Sequence, residues 1–302
     1  MNLQDLSQAC TGLVERAVGG VVAVKAGAYR SASGISIRED VIAVTAATLR
    51  REERVPVHGA DGTQGAGTLL GRDARINLAF LKVEGMRLTP LRPSDSTQWK
   101  VGMLAPVVGF TTDAGPSVSL GIIGALGDAR RTWRGGLADR FIRLDANVFP
   151  SQSGAAVVDS EARLIGMATP GLLQYSTVAL PFSTLERVLE ELLTRGRIRQ
   201  GYFGVGLQRV SIRSMRPEQI GTEQETGLIV LSVESGSPAE TSGLQLGDVL
   251  LSLDGKALTD IDQLQDGLSG ENVGREVEIV LSRGGQKLIR HITVAEREKK
   301  WR

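Results

Sequence analysis

The chain has 302 residues, 41% of them hydrophobic and 23% charged, an ordinary composition for a globular protein of up to two domains. Its formal net charge of +1 excludes a strong general attraction to nucleic acid or to an anionic membrane. No run of about 18 apolar residues is present, so no transmembrane helix is expected. The single cysteine, Cys10, excludes an internal disulfide framework, and we expect it to be a small buried apolar residue.

The N-terminal segment predicts a helix from about Leu3 to Ala17, with apolar residues at helical spacing. It has no basic segment followed by an apolar one, the pattern of a secretory signal. The sequence therefore predicts a cytoplasmic location, with the periplasm as the alternative for a chain whose leader has been removed.

After Gly19 and Gly20 the pattern changes to short strands separated by turn signals. Glycine is abundant, at 37 residues, and aromatic residues make up only 4%, which suits antiparallel barrels or sandwiches. The predicted strands are Val21–Val24, Ser33–Ile37, Val41–Thr45, Gly67–Leu70, Leu78–Val83, Leu104–Gly109, Val118–Ile123 and Phe141–Asp145.

A long helix is predicted over Ser183–Leu193, where Ser183 and Glu186 match a capping box and Gly196 takes the place of a left-handed C-cap. The basic segment Arg195–Gln200 is interpreted as a linker. A second unit of about 95 residues follows. Its predicted strands are Gly227–Leu231, Asp248–Leu253, Val277–Leu281 and Leu288–Val294, and its predicted helices are Ser237–Leu244 and Ile261–Leu268.

One stretch of the first unit contains a candidate catalytic nucleophile. The sequence Pro150-Ser151-Gln152-Ser153-Gly154-Ala155-Ala156 places Ser153 at a tight turn before a glycine, where a hydrolase would place its nucleophile. The pattern alone is weak, because a serine nucleophile also needs a base and an orienting acid.

Two longer patterns resemble a known family. Ser237-Pro238-Ala239-Glu240 through Gly243-Leu244, followed by Gly247-Asp248-Val249-Leu250, resembles a PDZ domain. The segment Arg195-Gly196-Arg197-Ile198 through Tyr202-Phe203-Gly204-Val205 resembles the protease-to-PDZ junction of the HtrA/Deg serine proteases. The resemblance covers nearly the whole chain.

The resemblance implies a mostly β fold, a trypsin-like pair of six-stranded barrels followed by one PDZ domain. The expected boundaries are residues 1–198 for the trypsin-like domain, 199–297 for the PDZ domain and 298–302 for a charged tail.

The family's catalytic positions can be carried over one at a time. The histidine position is Thr48, within Val44-Thr45-Ala46-Ala47-Thr48-Leu49, and the aspartate position is Asn77, before Leu78-Ala79-Phe80-Leu81-Lys82. The nucleophile position keeps Ser153, and Ser151 replaces the glycine of the oxyanion hole. The resemblance therefore implies a serine without its base and acid, a pseudoprotease.

Other residues could in principle supply a base. The chain has two histidines, His58 and His291, and both are interpreted as surface or strand residues. Lys82 and Lys100 are the lysines considered for a Ser-Lys dyad. Lys82 matches a common surface lysine of the family.

Peptide binding remains as the expected activity. In PDZ domains a peptide adds a strand to a sheet edge while loop amides hold its C-terminal carboxylate. The matching residues are Tyr202, Phe203, Gly204, Val205, Gly206 and Leu207, with Leu264 and Leu268 lining the side-chain pocket. The alternative is that Phe203, Leu264 and Leu268 are simply core residues.

The leading hypothesis is a proteolytically inactive HtrA-type homologue that binds protein or peptide C-termini as a scaffold or regulator. The alternatives are an active serine endopeptidase with a nonstandard base and a holdase-like chaperone. No cofactor, metal or nucleic acid is expected. Family members often form trimers through N-terminal aromatic residues, and the absence of aromatics up to Gly27 leaves homo-oligomer formation open.

Overall fold

The computed structural model describes residues 2–26, 31–49, 52–132, 135–173, 176–199, 201–212, 223–268 and 272–296. The chain forms two compact units, Met1–Ile198 and Arg199–Arg302. Strands dominate both units, which confirms the mostly β fold class. The predicted charged tail, residues 298–302, lies outside the described residues.

The first unit begins with a helix and a closed antiparallel barrel. Its elements are α1 (Leu3–Val18), β1 (Val21–Lys25), β2 (Ser31–Arg38), β3 (Val41–Thr45), α2 (Ala46–Leu49), β4 (Arg54–Gly59), β5 (Gln64–Asp73) and β6 (Leu78–Glu84). The barrel order is β1-β2-β3-β6-β5-β4. Asn2 and Asp5 form a capping box that starts α1.

A second barrel follows. Its strands are β7 (Val107–Thr111), β8 (Gly115–Ser119), β9 (Ile122–Gly127), β10 (Arg130–Arg131), β11 (Leu137–Ala138), β12 (Phe141–Asp145), β13 (Ala156–Val158), β14 (Leu164–Leu173) and β15 (Ser176–Pro181). Seven of them form one sheet in the order β8-β7-β13-β14-β15-β12-β9, and β10 pairs with β11.

The strand expected over Val118–Ile123 is divided into β8 and β9, because the chain bends at Leu120 and Gly121. Backbone hydrogen bonds from Ala105 to Gly121 (2.8 Å) and from Ile123 to Met103 (2.9 Å) tie this bend to the segment before β7. If β8 and β9 are counted as one bent strand, the second barrel has the six strands that the resemblance implied.

The helix α3 (Phe182–Arg195) packs Leu185, Val188 and Leu189 into a core shared with α1 and both barrels. The predicted capping box of Ser183 and Glu186 is wrong. The helix begins at Phe182 after Pro181, with no side-chain cap, so Ser183 lies inside its first turn. The left-handed cap at Gly196 is confirmed by its φ of 69°.

In its described residues, the second unit is a small sheet with two short helices. Its elements are β16 (Gly201–Tyr202), β17 (Val205–Ser211), β18 (Thr226–Val233), α4 (Pro238–Thr241), β19 (Val249–Leu253), β20 (Lys256–Ala257), α5 (Ile261–Gly267), β21 (Glu276–Arg283), β22 (Gln286–Thr293) and β23 (Ala295–Glu296). The sheet order is β17-β18-β19-β21-β22, with β20 paired to β19 and β16 to β23. Phe203, Leu228 and Ile279 lie in its core.

In the part of the chain that the structure describes, none of the helices has the length and apolar character needed to cross a bilayer.

A buried carboxylate stabilises the turn after β13. The side chain of Asp159 is only 1% exposed. Its Oδ2 accepts hydrogen bonds from Ser94 Oγ (2.7 Å) and Arg163 Nε (2.8 Å). Its Oδ1 accepts from the amides of Glu161 (2.9 Å) and Arg163 (3.0 Å). Burial by itself raises the pKa of Asp159, but these hydrogen bonds outweigh burial and hold the pKa below its ordinary value.

The Asp159→Asn variant should unfold more easily. Because the folded pKa lies below the unfolded value of about 3.9, the ionised carboxylate stabilises the fold above that pH. This contribution is lost as the pH falls through the folded pKa. At neutral pH we expect a loss of about 2–3 kcal/mol in the free energy of unfolding, the scale of hydrogen bonds to a charged group. Denaturant titrations at neutral and acidic pH measure both effects.

The matched control is Asp145→Asn, which neutralises an exposed carboxylate on β12. The control should unfold like the wild type, and the Asp159→Asn variant should lose less stability on acidification than the wild type. Equal losses in the two variants at neutral pH would contradict the prediction.

Candidate active site and peptide-binding groove

Residues from both barrels of the first unit line an open cleft of about 690 Å³. Its wall includes Ala47 and Thr48 from the first barrel and Ser151, Ser153 and Pro170 from the second. None of the described residues that line this cleft is charged. The cleft therefore offers hydroxyl groups and apolar surface to a ligand.

Three hydroxyl groups form a chain in this cleft. Thr45 Oγ1 lies 2.9 Å from Ser153 Oγ and 2.8 Å from Thr48 Oγ1. Thr45 is the last residue of β3 and is fully buried. Its hydroxyl therefore lies at the base of the cleft, between Ser153 and Thr48. A hydroxyl group cannot accept a proton from serine near neutral pH, so neither threonine can act as the general base.

Asn77, expected at the aspartate position, satisfies backbone hydrogen-bond donors of the first barrel. It has a positive φ of 55°, a conformation that asparagine tolerates better than most residues. Its Oδ1 accepts a hydrogen bond from the Ala47 amide at 2.9 Å, and its carbonyl accepts from the Ala46 amide at 3.0 Å. Asn77 thereby satisfies two backbone donors at the start of α2.

The loop that carries Ser153 has a backbone conformation unsuited to an oxyanion. Pro150–Gln152 form one turn of 3-10 helix, and the Ser153 amide donates to the Pro150 carbonyl at 3.2 Å. The Ser151 carbonyl accepts from Ser33 Oγ at 3.0 Å. An oxyanion hole requires backbone N–H groups aimed at the developing negative charge, and the Ser153 N–H is engaged elsewhere.

Gln152 holds the same loop against β8. Its side chain is 1% exposed, and its Oε1 accepts from Ser119 Oγ at 2.9 Å and from the Phe149 amide at 3.1 Å. The nucleophile loop is therefore fixed to the first barrel by Ser33 and to the second barrel by Gln152.

The residues considered as substitute bases lie elsewhere. Lys82 Nζ pairs with Asp40 at 2.6 Å on the surface of the first barrel. His58 belongs to β4, opposite Ala23, and His291 is an exposed residue of β22 in the second unit. Lys100 is exposed. None of these residues lines the cleft.

Among the described residues, no group of three or more His, Cys, Asp or Glu side chains could hold a metal ion.

In the second unit, the predicted carboxylate loop is held against the chain before α4 and against the first turn of α4. Gly204 has a φ of 83°, and a Cβ added there would lie 2.2 Å from Ser237 Cβ. The carbonyls of Phe203 and Gly204 accept from the amides of Ala239 (2.9 Å) and Glu234 (2.8 Å). Tyr202 donates its hydroxyl to the Glu234 carboxylate. Gly204 is therefore required by both its conformation and its close neighbour.

The apolar residues expected in the peptide pocket divide into two sets. Phe203 and Leu264 are 1% and 4% exposed and lie in the core of the unit. Val205, Leu207 and Leu268 pack against the same core and stay partly exposed. The partly exposed set, from β17 and the end of α5, is the one that can contact a peptide side chain.

Sequence reasoning missed Thr45, Ser33 and Gln152 as residues of this site. Gln152 lies between two predicted site residues and Thr45 lies three residues before Thr48, but only the fold shows which hydroxyl or amide groups meet. Ser33 is 118 residues from Ser151 along the chain, and no local pattern predicts their contact.

Comparisons with known proteins agree with this geometry. Residues 32–167 match the trypsin-like peptidase domain and residues 201–294 match the PDZ domain. The chain resembles the putative serine protease HhoB of Synechocystis, with 28% identity over 74% of this chain and 56% of that protein. It also resembles the serine endoprotease DegS of Haemophilus influenzae, with 27% identity over 87% of this chain and 76% of that protein.

A probable periplasmic serine endoprotease, DegP-like, of Rhizobium meliloti is 30% identical over 75% of this chain and 45% of that protein. The chain spans about half the length of the DegP-like relatives. Among solved structures, the HtrA-type protease AlgW with decapeptide superposes with a TM-score of 0.79 and 24% identity, over 96% of this chain and 99% of AlgW. A serine endoprotease from Yersinia pestis gives a TM-score of 0.77 and 24% identity, over 95% of this chain and 98% of that protein.

The fold and the site define a serine protease homologue with a trypsin-like domain followed by a PDZ domain. Its domain order and its curated relatives support assignment to the HtrA/Deg family.

The Gly154→Ala variant should be strongly destabilised. Gly154 has a φ of 83°, and an added Cβ would lie 2.3 Å from the Ser33 carbonyl oxygen. We expect a loss of roughly 2–4 kcal/mol from conformational strain and steric overlap together. The control is Gly102→Ala. Gly102 has a φ of 90°, and an added Cβ would have no neighbour within 4 Å, so this variant has the conformational strain without the steric overlap. Thermal unfolding of both variants measures the difference, and equal losses would show that the contact with Ser33 is unimportant.

Proposed function

We propose that this protein is a proteolytically inactive HtrA-type homologue that binds peptides through its PDZ domain and acts as a scaffold or regulator. The observation that carries the proposal is the contact of Ser153 Oγ with Thr45 Oγ1 at 2.9 Å and, through it, with Thr48. The described residues that line the cleft include no histidine, lysine or carboxylate.

Without the histidine and the aspartate, the expected rate of peptide hydrolysis is very low. In the serine-protease template, replacing only the aspartate by asparagine lowers turnover by about four orders of magnitude. Here the aspartate position is Asn77 and the histidine position is Thr48. The engaged amide of Ser153 removes one oxyanion donor as well, a change worth roughly two to three orders of magnitude in comparable enzymes.

Peptide binding is supported by the second unit. A peptide that binds a PDZ domain adds a strand to the edge of its sheet, beside a helix. The loop conformation at Gly204 suits this mode of binding, and so do three partly exposed apolar residues, Val205, Leu207 and Leu268. The structural neighbour AlgW was solved with a decapeptide, which supports a peptide as the class of ligand.

A holdase-like chaperone is the second candidate. The open cleft of about 690 Å³, whose described lining residues are uncharged, favours it, since such a surface could hold an unfolded segment without cleaving it. An active endopeptidase with a nonstandard base is the weaker alternative, because Lys82 is paired with Asp40 and His58 does not line the cleft.

The compartment is part of the proposal. Several relatives are named periplasmic, and none of the comparisons supports the cytoplasmic placement expected from the N-terminus. We therefore favour the periplasmic alternative.

The wild-type protein should not react with a fluorophosphonate probe and should leave casein intact. The physical reason is that Ser153 has no base to remove its proton. Ser153→Ala gives the background for labelling. A Thr48→His/Asn77→Asp variant supplies a base and an acid, and any labelling it gains shows that the probe reaches Ser153. Labelling of the wild type together with casein cleavage that Ser153→Ala abolishes would overturn the proposal, and His58→Ala and Lys82→Ala would then identify the base.

The full chain should select peptides with a free C-terminus from a displayed library, because the loop at Gly204 is suited to a carboxylate. Amidation of a selected peptide should weaken binding about tenfold or more, as expected for the loss of charge-assisted hydrogen bonds. Leu268→Glu should weaken binding to a similar extent, and fluorescence anisotropy measures both changes.

The matched control is Leu246→Glu, which adds the same charge at a leucine that is 74% exposed in the same unit. Equal affinity for free and amidated peptides would contradict carboxylate recognition. If Leu268→Glu and the wild type suppress the aggregation of reduced insulin equally, the holdase function is favoured instead.

A further inference from the structure

The predicted carboxylate loop of the second unit connects two strands that are paired with different parts of the sheet. Before the loop, β16 pairs with β23, and after it, β17 pairs with β18. Phe203 and Gly204 lie between these strands. The directions of the loop N–H groups therefore depend on the backbone conformation of these two residues.

The orientation of the loop N–H groups follows from the carbonyls that precede them. In a trans peptide unit, the C=O and the following N–H point in opposite directions. The Phe203 carbonyl accepts from the Ala239 amide at 2.9 Å, so the Gly204 N–H points away from α4. The Gly204 carbonyl accepts from the Glu234 amide at 2.8 Å, so the Val205 N–H points away from the end of β18. Among the described strands β17 is at one end of the sheet, so this N–H faces an edge to which a peptide can add.

Glu234 contacts the loop a second time, through its side chain. Its carboxylate accepts a hydrogen bond from the hydroxyl of Tyr202, 32 residues earlier in the chain. The same hydroxyl lies close to Gly204, where an added Cβ would be 2.8 Å from Tyr202 Oη. The side chain of Tyr202, the side chain and amide of Glu234 and the carbonyl of Gly204 thus form a closed cycle of covalent and hydrogen bonds. Such a cycle restricts the loop to one conformation before a ligand binds.

We propose that Tyr202 and Glu234 are positioning residues for the recognition of a peptide's C-terminal carboxylate, an inference that rests on the proposed peptide-binding function. Their hydrogen bond keeps the N–H groups of Gly204 and Val205 directed at the ligand, so less conformational entropy is lost on binding. A carboxylate that contacted the peptide terminus directly would repel it. Glu234 therefore acts through Tyr202 and not on the peptide.

The test measures how well the full chain distinguishes a carboxylate from an amide. The probe is a fluorescein-labelled peptide selected from the displayed library, prepared with a free and with an amidated C-terminus. Fluorescence anisotropy gives the two dissociation constants, and their ratio measures carboxylate recognition. In Tyr202→Phe and in Glu234→Ala, the free peptide should bind about fivefold more weakly, because a hydrogen bond that orients the donors is lost. The amidated peptide should bind as it does to the wild type, so the ratio falls.

Two further variants separate positioning from other roles. Glu234→Gln keeps a carbonyl oxygen that can accept from Tyr202, and it should keep the wild-type ratio. Tyr202→Phe/Glu234→Ala should lose no more affinity than either single variant, because both changes remove the same hydrogen bond. The control is Glu276→Ala, which removes an exposed carboxylate of β21 in the same unit and should leave both affinities unchanged. Thermal unfolding at the wild-type temperature confirms that each variant is folded.

The outcomes separate this inference from the proposed function. If the library yields no peptide, or if the wild type binds the free and amidated peptides equally, the proposed function is overturned and this inference with it. If the wild type distinguishes the two peptides but the ratio is unchanged in Tyr202→Phe and Glu234→Ala, only this inference is overturned. An equal loss of affinity for both peptides leaves the ratio unchanged and has the same meaning. Tighter binding of the free peptide by both Glu234→Ala and Glu234→Gln would show that Glu234 acts through its charge, which also overturns the inference.

Discussion

The contact between Ser33 on β2 and the loop of Ser153 is the interaction on which the first unit depends. The Ser33 amide donates to the Ser153 carbonyl at 3.2 Å, and its hydroxyl donates to the Ser151 carbonyl at 3.0 Å. The approach is so close that position 154 has no room for a side chain. These bonds join the two barrels at the place where the cleft opens.

The packing of this interface does not depend on proton transfer. Glycine at position 154, the buried Gln152 and the capping role of Asn77 each satisfy backbone or packing requirements that are independent of proton transfer. Thr45 likewise contacts both Ser153 and Thr48 without any titratable group. The site is therefore a well-packed hydroxyl cluster, stable for structural reasons.

The second unit has a surface suited to peptide binding. Its predicted peptide groove combines a conformationally restricted glycine with three partly exposed apolar side chains.

Much of the architecture could be predicted from the sequence, because its signals are local. Alternating apolar residues, turn signals and the cap at Gly196 predicted most strands and the long helix, and the family resemblance predicted the two barrels and the PDZ domain. The helix start at Phe182 was mispredicted, because a Ser-x-x-Glu pattern also occurs inside a first turn. The division of β8 from β9 depends on a bend that adjacent residues alone do not reveal.

By itself, the sequence predicted through its family resemblance that Thr48, Asn77 and Ser153 occupy the catalytic positions. Only the tertiary structure decided what those side chains do. The partners of Ser153 and Asn77, the Ser33 contact across 118 residues and the stacking of Arg140 on Trp99 bring together groups that are distant in the chain. Such contacts depend on how the barrels pack, and no short pattern of residues encodes them.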